Sequence, residues 1–157
     1  MSKFKLRRLD IPYAIHEIYS LVIDDKCVFE EFLKEVKSKF HLKDEEDELK
    51  FDSKPNELDE LMALLEDVAL GNTVLKKCHK PLKSKYSAYE IRTKKTMLRV
   101  YYLKEKSQGK IIILAHIKKN EKDQNRALKQ FEKRIEKYNN YKQKNKIEII
   151  EWKDLKN

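Results

Sequence analysis

The chain has 157 residues, 40% of them charged and 40% hydrophobic, with a formal net charge of +9. That length suits one domain with its own apolar core, and the apolar share argues against wholesale disorder. No run of about 18 apolar residues occurs, so no membrane-spanning helix is expected, and the basic residues 1–8 lack the apolar centre of a secretory signal.

Charge is unevenly distributed. Residues 24–60 carry 7 Lys/Arg against 14 Asp/Glu, whereas residues 76–146 carry 23 against 6. One side of the molecule is therefore expected to offer a phosphate-binding surface, the plain alternative being a lysine-rich solvated surface. Cys27 and Cys78 show no metal-ligand spacing; two reduced thiols and a cytoplasmic location are expected, with one structural disulfide as the alternative.

In chain order, residues 4–6 suggest a short edge strand or a loose arm. Residues 15–23 are β-branched and aromatic and read as the first main strand. Asp24 and Asp25 offer N-cap oxygens to a helix with an apolar stripe of Val28, Phe29, Phe32, Leu33, Val36 and Phe40. Residues 43–55, with five adjacent acids at 44–48, read as a solvated loop. A second helix over 56–70 buries Leu58, Leu61, Met62, Leu65 and Val68 and ends at Gly71-Asn72. The two helices together read as an antiparallel hairpin on one sheet face.

A basic connection over 74–85 follows. Three short strands come next, at 89–92, 98–102 and 111–119, with a hairpin turn at Ser107-Gln108-Gly109. A final helix, capped by Asn120 or Asp123, places Ala127, Leu128, Phe131, Ile135 and Tyr138 on one face. Residues 147–152 form an apolar tail that either adds an edge strand or packs its tryptophan on the core.

Several segments carry a family resemblance. These are Val-Phe-Glu-Glu-Phe-Leu at 28–33, the helix ending in glycine at 61–72, Lys-Pro-Leu-Lys at 80–83 and Tyr-Glu-Ile-Arg at 89–92. With them go Leu-Arg-Val-Tyr-Tyr at 98–102, Ile-Leu-Ala-His-Ile-Lys-Lys at 113–119 and the helix over 127–138. In this order they resemble the RelE/ParE toxin superfamily, most closely its phage-derived HigB-like branch, over about residues 13–142. The resemblance implies a single α+β domain over 1–157, with a small antiparallel sheet of about four strands, an N-terminal helical hairpin and a C-terminal helix. Residues 143–157 would be a C-terminal extension. It further implies the toxin of a type II toxin–antitoxin pair, a metal-free endoribonuclease that needs no cofactor and cleaves messenger RNA on the ribosome. A helix-turn-helix antitoxin would be its partner.

Metal-free RNA cleavage needs a base for the 2′-hydroxyl, cations for the phosphate and an acid for the leaving oxygen. Arg99 and Arg92, on neighbouring strands, are the first candidates, because a guanidinium fork matches two phosphate oxygens. The plain alternative for each is an ordinary ion pair, for Arg92 with Glu90. Lys118 and Lys119 complete the expected catalytic set. Lys83, Lys85, Lys94, Lys95, Lys122 and Arg126 are the expected RNA-binding cations, with Tyr101 as a stacking residue. His116 reads as a core or edge histidine sharing a face with Ile112 and Leu114, and His79 as a residue able to approach the site. The readings kept alongside are a ParE-like inhibitor of DNA gyrase acting through protein contacts, and an inactive binding relative.

Overall fold

The computed structural model describes residues 1–40, 57–95, 97–106 and 109–152. Its first element is a strand inside the sheet rather than a loose arm. Phe4–Arg8 (β1) pairs antiparallel with Ile18–Ile23 (β2), Phe4 opposite Ile23 and Arg8 opposite Tyr19. Asp24 and Asp25 do not cap a helix. Both have positive φ (47° and 67°) and form a two-residue turn into Lys26–Cys27 (β3), which pairs back on β2. This left-handed turn matches the twist of paired strands, and aspartate tolerates it better than most residues.

The helix Val28–Lys39 (α1) starts directly after Cys27, which provides no side-chain cap. Instead the hydroxyl of Ser20, on β2, accepts the Phe29 amide at 3.0 Å. A buried helical donor is thus satisfied from the neighbouring strand. Phe29, Phe32 and Val36 are buried, as their spacing predicts. Glu57–Leu70 (α2) buries Leu61, Leu65, Val68 and Ala69 and stops at Gly71, whose φ is +74°. The expected acidic loop at 43–55 lies outside the described residues.

After α2 come His79–Pro81 (β4), Ala88–Arg92 (β5), Leu98–Glu105 (β6) and Gly109–Ile117 (β7), each antiparallel to the one before it. The three-strand block expected from sequence is therefore present, and the basic connection before it contributes a further edge strand. Glu121–Lys144 (α3) follows, capped by the Asn120 side chain, and Ile149–Glu151 (β8) closes the chain.

The expected four-stranded antiparallel, RelE-like arrangement is overturned. Among the described residues, three helices accompany an eight-stranded mixed sheet of order β4-β5-β6-β7-β2-β1-β8, with β3 beside β2. Two parallel pairings create it: β2 with β7 through Ile18–Lys110, Tyr19–Ile111 and Ser20–Ile112, and β1 with β8. Such pairings join segments far apart in sequence and leave no local signature. Nor do the first two helices form a hairpin of their own. α1 lies over β2 and β7, and α2 over β5 and β6.

The sheet is covered on both faces. Phe29, Phe32, Val36, Leu61, Leu65 and Val68 pack with Ile18, Ile91, Val100 and Ile112 on one side. Ala127, Phe131, Ile135 and Tyr138 of α3 pack with Leu6, Leu21, Tyr101 and Ile111 on the other. The C-terminal tail realises both of its options at once. β8 becomes an edge strand, and the Trp152 ring lies 3.6 Å from the guanidinium carbon of the fully buried Arg7. Arg7 also donates to the Trp152 carbonyl at 2.9 Å and pairs with Glu30 of α1. Residues up to 152 therefore pack against the sheet. No helix among the described residues is long and apolar enough to cross a membrane.

Gly109 opens β7 with φ +108°, and a Cβ there would lie 2.8 Å from the Glu17 carbonyl oxygen. Gly109→Ala is therefore expected to lower the unfolding free energy by about 2 kcal/mol, from backbone strain and the clash together. Urea denaturation followed by circular dichroism measures it.

Candidate functional site

The antiparallel register dictates the first site. Arg92 stands opposite Arg99, and Arg99 opposite His116, so three basic side chains run across β5, β6 and β7 on the face covered by α3. Two neighbouring guanidinium groups demand a counter-charge. Glu90, two residues before Arg92 and hence on the same face, supplies it. Its Oε1 accepts Arg99 Nη1 at 3.0 Å and lies 3.8 Å from Arg92 Nε. Glu90 and Arg99 are each only 1% exposed. Arg92 is half-buried at the edge of the pair, and its Nε donates to the Lys77 carbonyl at 2.5 Å.

Arg99 does face the same way as Tyr101, as strand alternation requires, but that face is covered. The guanidinium, expected to be the phosphate-contacting fork, sits beneath the surface and is held by a carboxylate.

Beside this pair the Tyr101 hydroxyl and His116 Nε2 are 3.0 Å apart. Burial, then the Glu90 carboxylate, push the Tyr101 phenol up to about 12, so the hydroxyl keeps its proton at pH 7. Burial, then the positive charge of Arg99, push His116 down to about 4; Asp123 opposes them, and Lys118 adds a smaller push in the same direction. The imidazole is neutral at pH 7. Lys118 completes the corner, bonded to Glu121 at 2.8 Å, and Glu121 is held below the usual carboxylate range by that bond and by Arg99.

His116 does not share a face with Ile112, as simple alternation suggests. Tyr101 pairs with Leu114 but Tyr102 with Ile112, so Ile113 is an extra residue, and the bulge turns Ile112 to the other side. The Ile113 carbonyl accepts Arg134 Nη1 from α3 at 3.0 Å.

The other predicted residues distribute as follows. Lys119 leaves the cluster and turns toward α1, where its ammonium pushes Lys39 below its ordinary value. Lys94 and Lys95 lie exposed in the β5–β6 turn, which the Glu60 carboxylate tethers through the Lys94 amide at 2.5 Å. Lys122 and Arg126 are exposed on the first turns of α3. Lys83 and Lys85 lie in the loop at the opposite end of β5, with the Lys85 ammonium 5.3 Å from the Tyr86 ring. Tyr101, the expected stacking residue, is fully buried. His79 belongs to the other sheet face, where it bonds the Tyr102 hydroxyl at 2.7 Å.

Sequence reasoning thus found Arg92, Arg99 and Lys118 together and misplaced Lys119. It treated Glu90 only as a rival partner for Arg92, although its position two residues away on the same strand face marks it as their common counter-ion. The cleft of about 780 Å³ where β2 and β7 separate lies elsewhere. It is lined by Arg134, Glu31 and Glu35 and by apolar residues that include Val28 and Phe32.

No family model, curated protein or solved structure matches the chain. Function must be argued from the chemistry of its residues.

Two outcomes follow from this geometry. Glu90→Gln leaves Arg99 buried without its carboxylate and is expected to cost about 3 kcal/mol, whereas the Glu90→Leu/Arg99→Leu double variant costs less. A double-mutant cycle by urea denaturation resolves the two. For His116, the folded value near 4 lies below the 6.5 of a free imidazole. Between those values the unfolded chain binds a proton that the folded chain refuses, so stability falls as pH drops from 6.5 through 4. Discounted for partial exposure, the loss is about 2 kcal/mol, and His116→Gln should remove that part of the slope.

Proposed function

We propose that this protein is a metal-free endoribonuclease of the toxin kind, acting at the corner formed by Arg92, His116 and Lys118. The observation that carries the reading is the convergence, on neighbouring strands, of an imidazole and two partly accessible cations around a buried Glu90–Arg99 pair. Arg92 and Lys118 would hold the phosphate, and as the bond from phosphorus to the 5′ oxygen breaks, the Lys118 ammonium would give that leaving oxygen its proton. Arg99 is a positioning residue, anchoring Glu90 and setting the electrostatics of His116.

His116 is the proton acceptor for the attacking 2′-hydroxyl in this reading. Its low proton affinity in the free protein comes from burial and from the nearby positive charges of Arg99 and Lys118. A bound phosphodiester brings negative charge to that corner and raises the imidazole toward the working range. Tyr101 fixes the ring by accepting from Nε2–H, which leaves the Nδ1 lone pair to take the proton. The exposed Lys94, Lys95, Lys122 and Arg126 around the same corner would guide the RNA backbone. Messenger RNA on the ribosome, in a cytoplasmic setting, and a helix-turn-helix antitoxin as inhibitor complete the reading.

Incubation of the purified protein with single-stranded RNA in a chelating buffer tests it. Fragments ending in a 2′,3′-cyclic phosphate are expected. Arg92→Ala, Lys118→Ala and His116→Ala should each slow cleavage by about 100-fold. Expression without an antitoxin should arrest growth and create new messenger RNA ends. Intact RNA in both settings overturns the proposal, and arrest without new ends would turn attention to inhibition through protein contacts.

A further inference from the structure

The opposite face of the same sheet holds a second group of cations, and among the described residues it lacks a counter-charge. Lys104 and Lys110 stand directly across from each other on β6 and β7. Lys110 is nine-tenths buried, with 9% of its surface exposed. Like charges opposed in this way repel, and a buried ammonium ordinarily has a carboxylate beside it. Among the described residues, neither lysine has an ion-pair partner within 4 Å.

The remaining neighbours add positive or aromatic character. Lys110 Nζ lies 6.0 Å from the Tyr102 ring centroid. Tyr102, Tyr89 and His79, on three adjacent strands, hold their rings nearly parallel with centroids 5.3 to 5.9 Å apart. His16 lies close enough to both lysines to have its proton affinity lowered by them, and burial with Lys110 does the same to His79. The backbone at this point is fixed. The Lys110 amide donates to the Glu17 carbonyl at 3.1 Å, and the His16 amide to Ala69 at the end of α2 at 2.9 Å.

The geometry points to a nucleotide-binding site, in which Lys110 and Lys104 take the phosphate and the Tyr89–His79 side of the ring cluster takes the base. An anion there removes the lysine repulsion and supplies the missing counter-charge, and a planar base extends a set of rings already aligned. This site lies on the other sheet face from Arg92, His116 and Lys118, so it stands or falls apart from RNA cleavage.

Titration calorimetry of the full chain with adenosine 5′-monophosphate, inorganic phosphate and adenosine tests it. Saturable binding is expected, at least tenfold tighter for the monophosphate than for either fragment. Lys110→Met, which keeps the buried stem, should weaken monophosphate binding tenfold or more. Tyr89→Leu should weaken the monophosphate but not inorganic phosphate. In the wild-type chain, the monophosphate should protect the exposed Lys104 from acetylation, a readout that does not depend on any variant folding. Absence of saturable binding, equal affinity for the monophosphate and inorganic phosphate, or unchanged affinity in Lys110→Met would overturn the assignment.

Discussion

Three residue pairs hold the two halves of this sheet together. Ile18, Tyr19 and Ser20 run parallel to Lys110, Ile111 and Ile112, joining the β4–β7 meander to the β2-β1-β8 ladder. Beyond Ser20 the strands separate, and each exposed backbone group there needs another partner. The Ile113 carbonyl obtains Arg134 from α3, while the Ser20 hydroxyl accepts the Phe29 amide at the start of α1. Val28 fills the opening and touches the cores of both faces. The short ladder therefore places a helix on each side of the sheet and determines which residues are covered.

That coverage separates two kinds of positive charge. On the α3 face, Arg92 and Arg99 share the buried carboxylate of Glu90, so much of their charge is neutralised within the protein. Only the outer parts of this cluster, Arg92 and Lys118, remain available to a ligand. On the opposite face, Lys104 and Lys110 have no such partner among the described residues. The net charge of +9 is thus a poor guide to where an anion would bind. The arrangement of carboxylates decides it.

The bulge at Ile113 links these features. Inserting one residue into β7 reverses its alternation, so that Leu114 and His116 join Tyr101 and Arg99 while Ile112 joins Tyr102 on the other face. Were Ile113 paired regularly rather than bulged out of the ladder, the imidazole would share a face with the tyrosine–histidine stack. A single irregularity in strand pairing therefore sets the contents of both candidate sites, an effect that bulges commonly have near functional residues.

The sequence by itself determined what short-range physics encodes. The apolar spacing in 28–36, 58–68 and 127–138 specified three helices, Gly71 specified an end, and alternation in 98–102 placed Arg99 beside Tyr101. It also brought Arg92, Arg99 and Lys118 into one region, because consecutive antiparallel strands must be neighbours. Tertiary structure alone decided the parallel contacts of β2 with β7 and of β1 with β8. Their partners are separated by most of the chain, and no local pattern records the register. It also decided that Asp24 and Asp25 turn a hairpin, that Arg99 lies sealed from solvent beside Glu90, and that Lys119 diverges from Lys118. Each of these depends on which distant surface a residue meets, a quantity that periodicity does not contain.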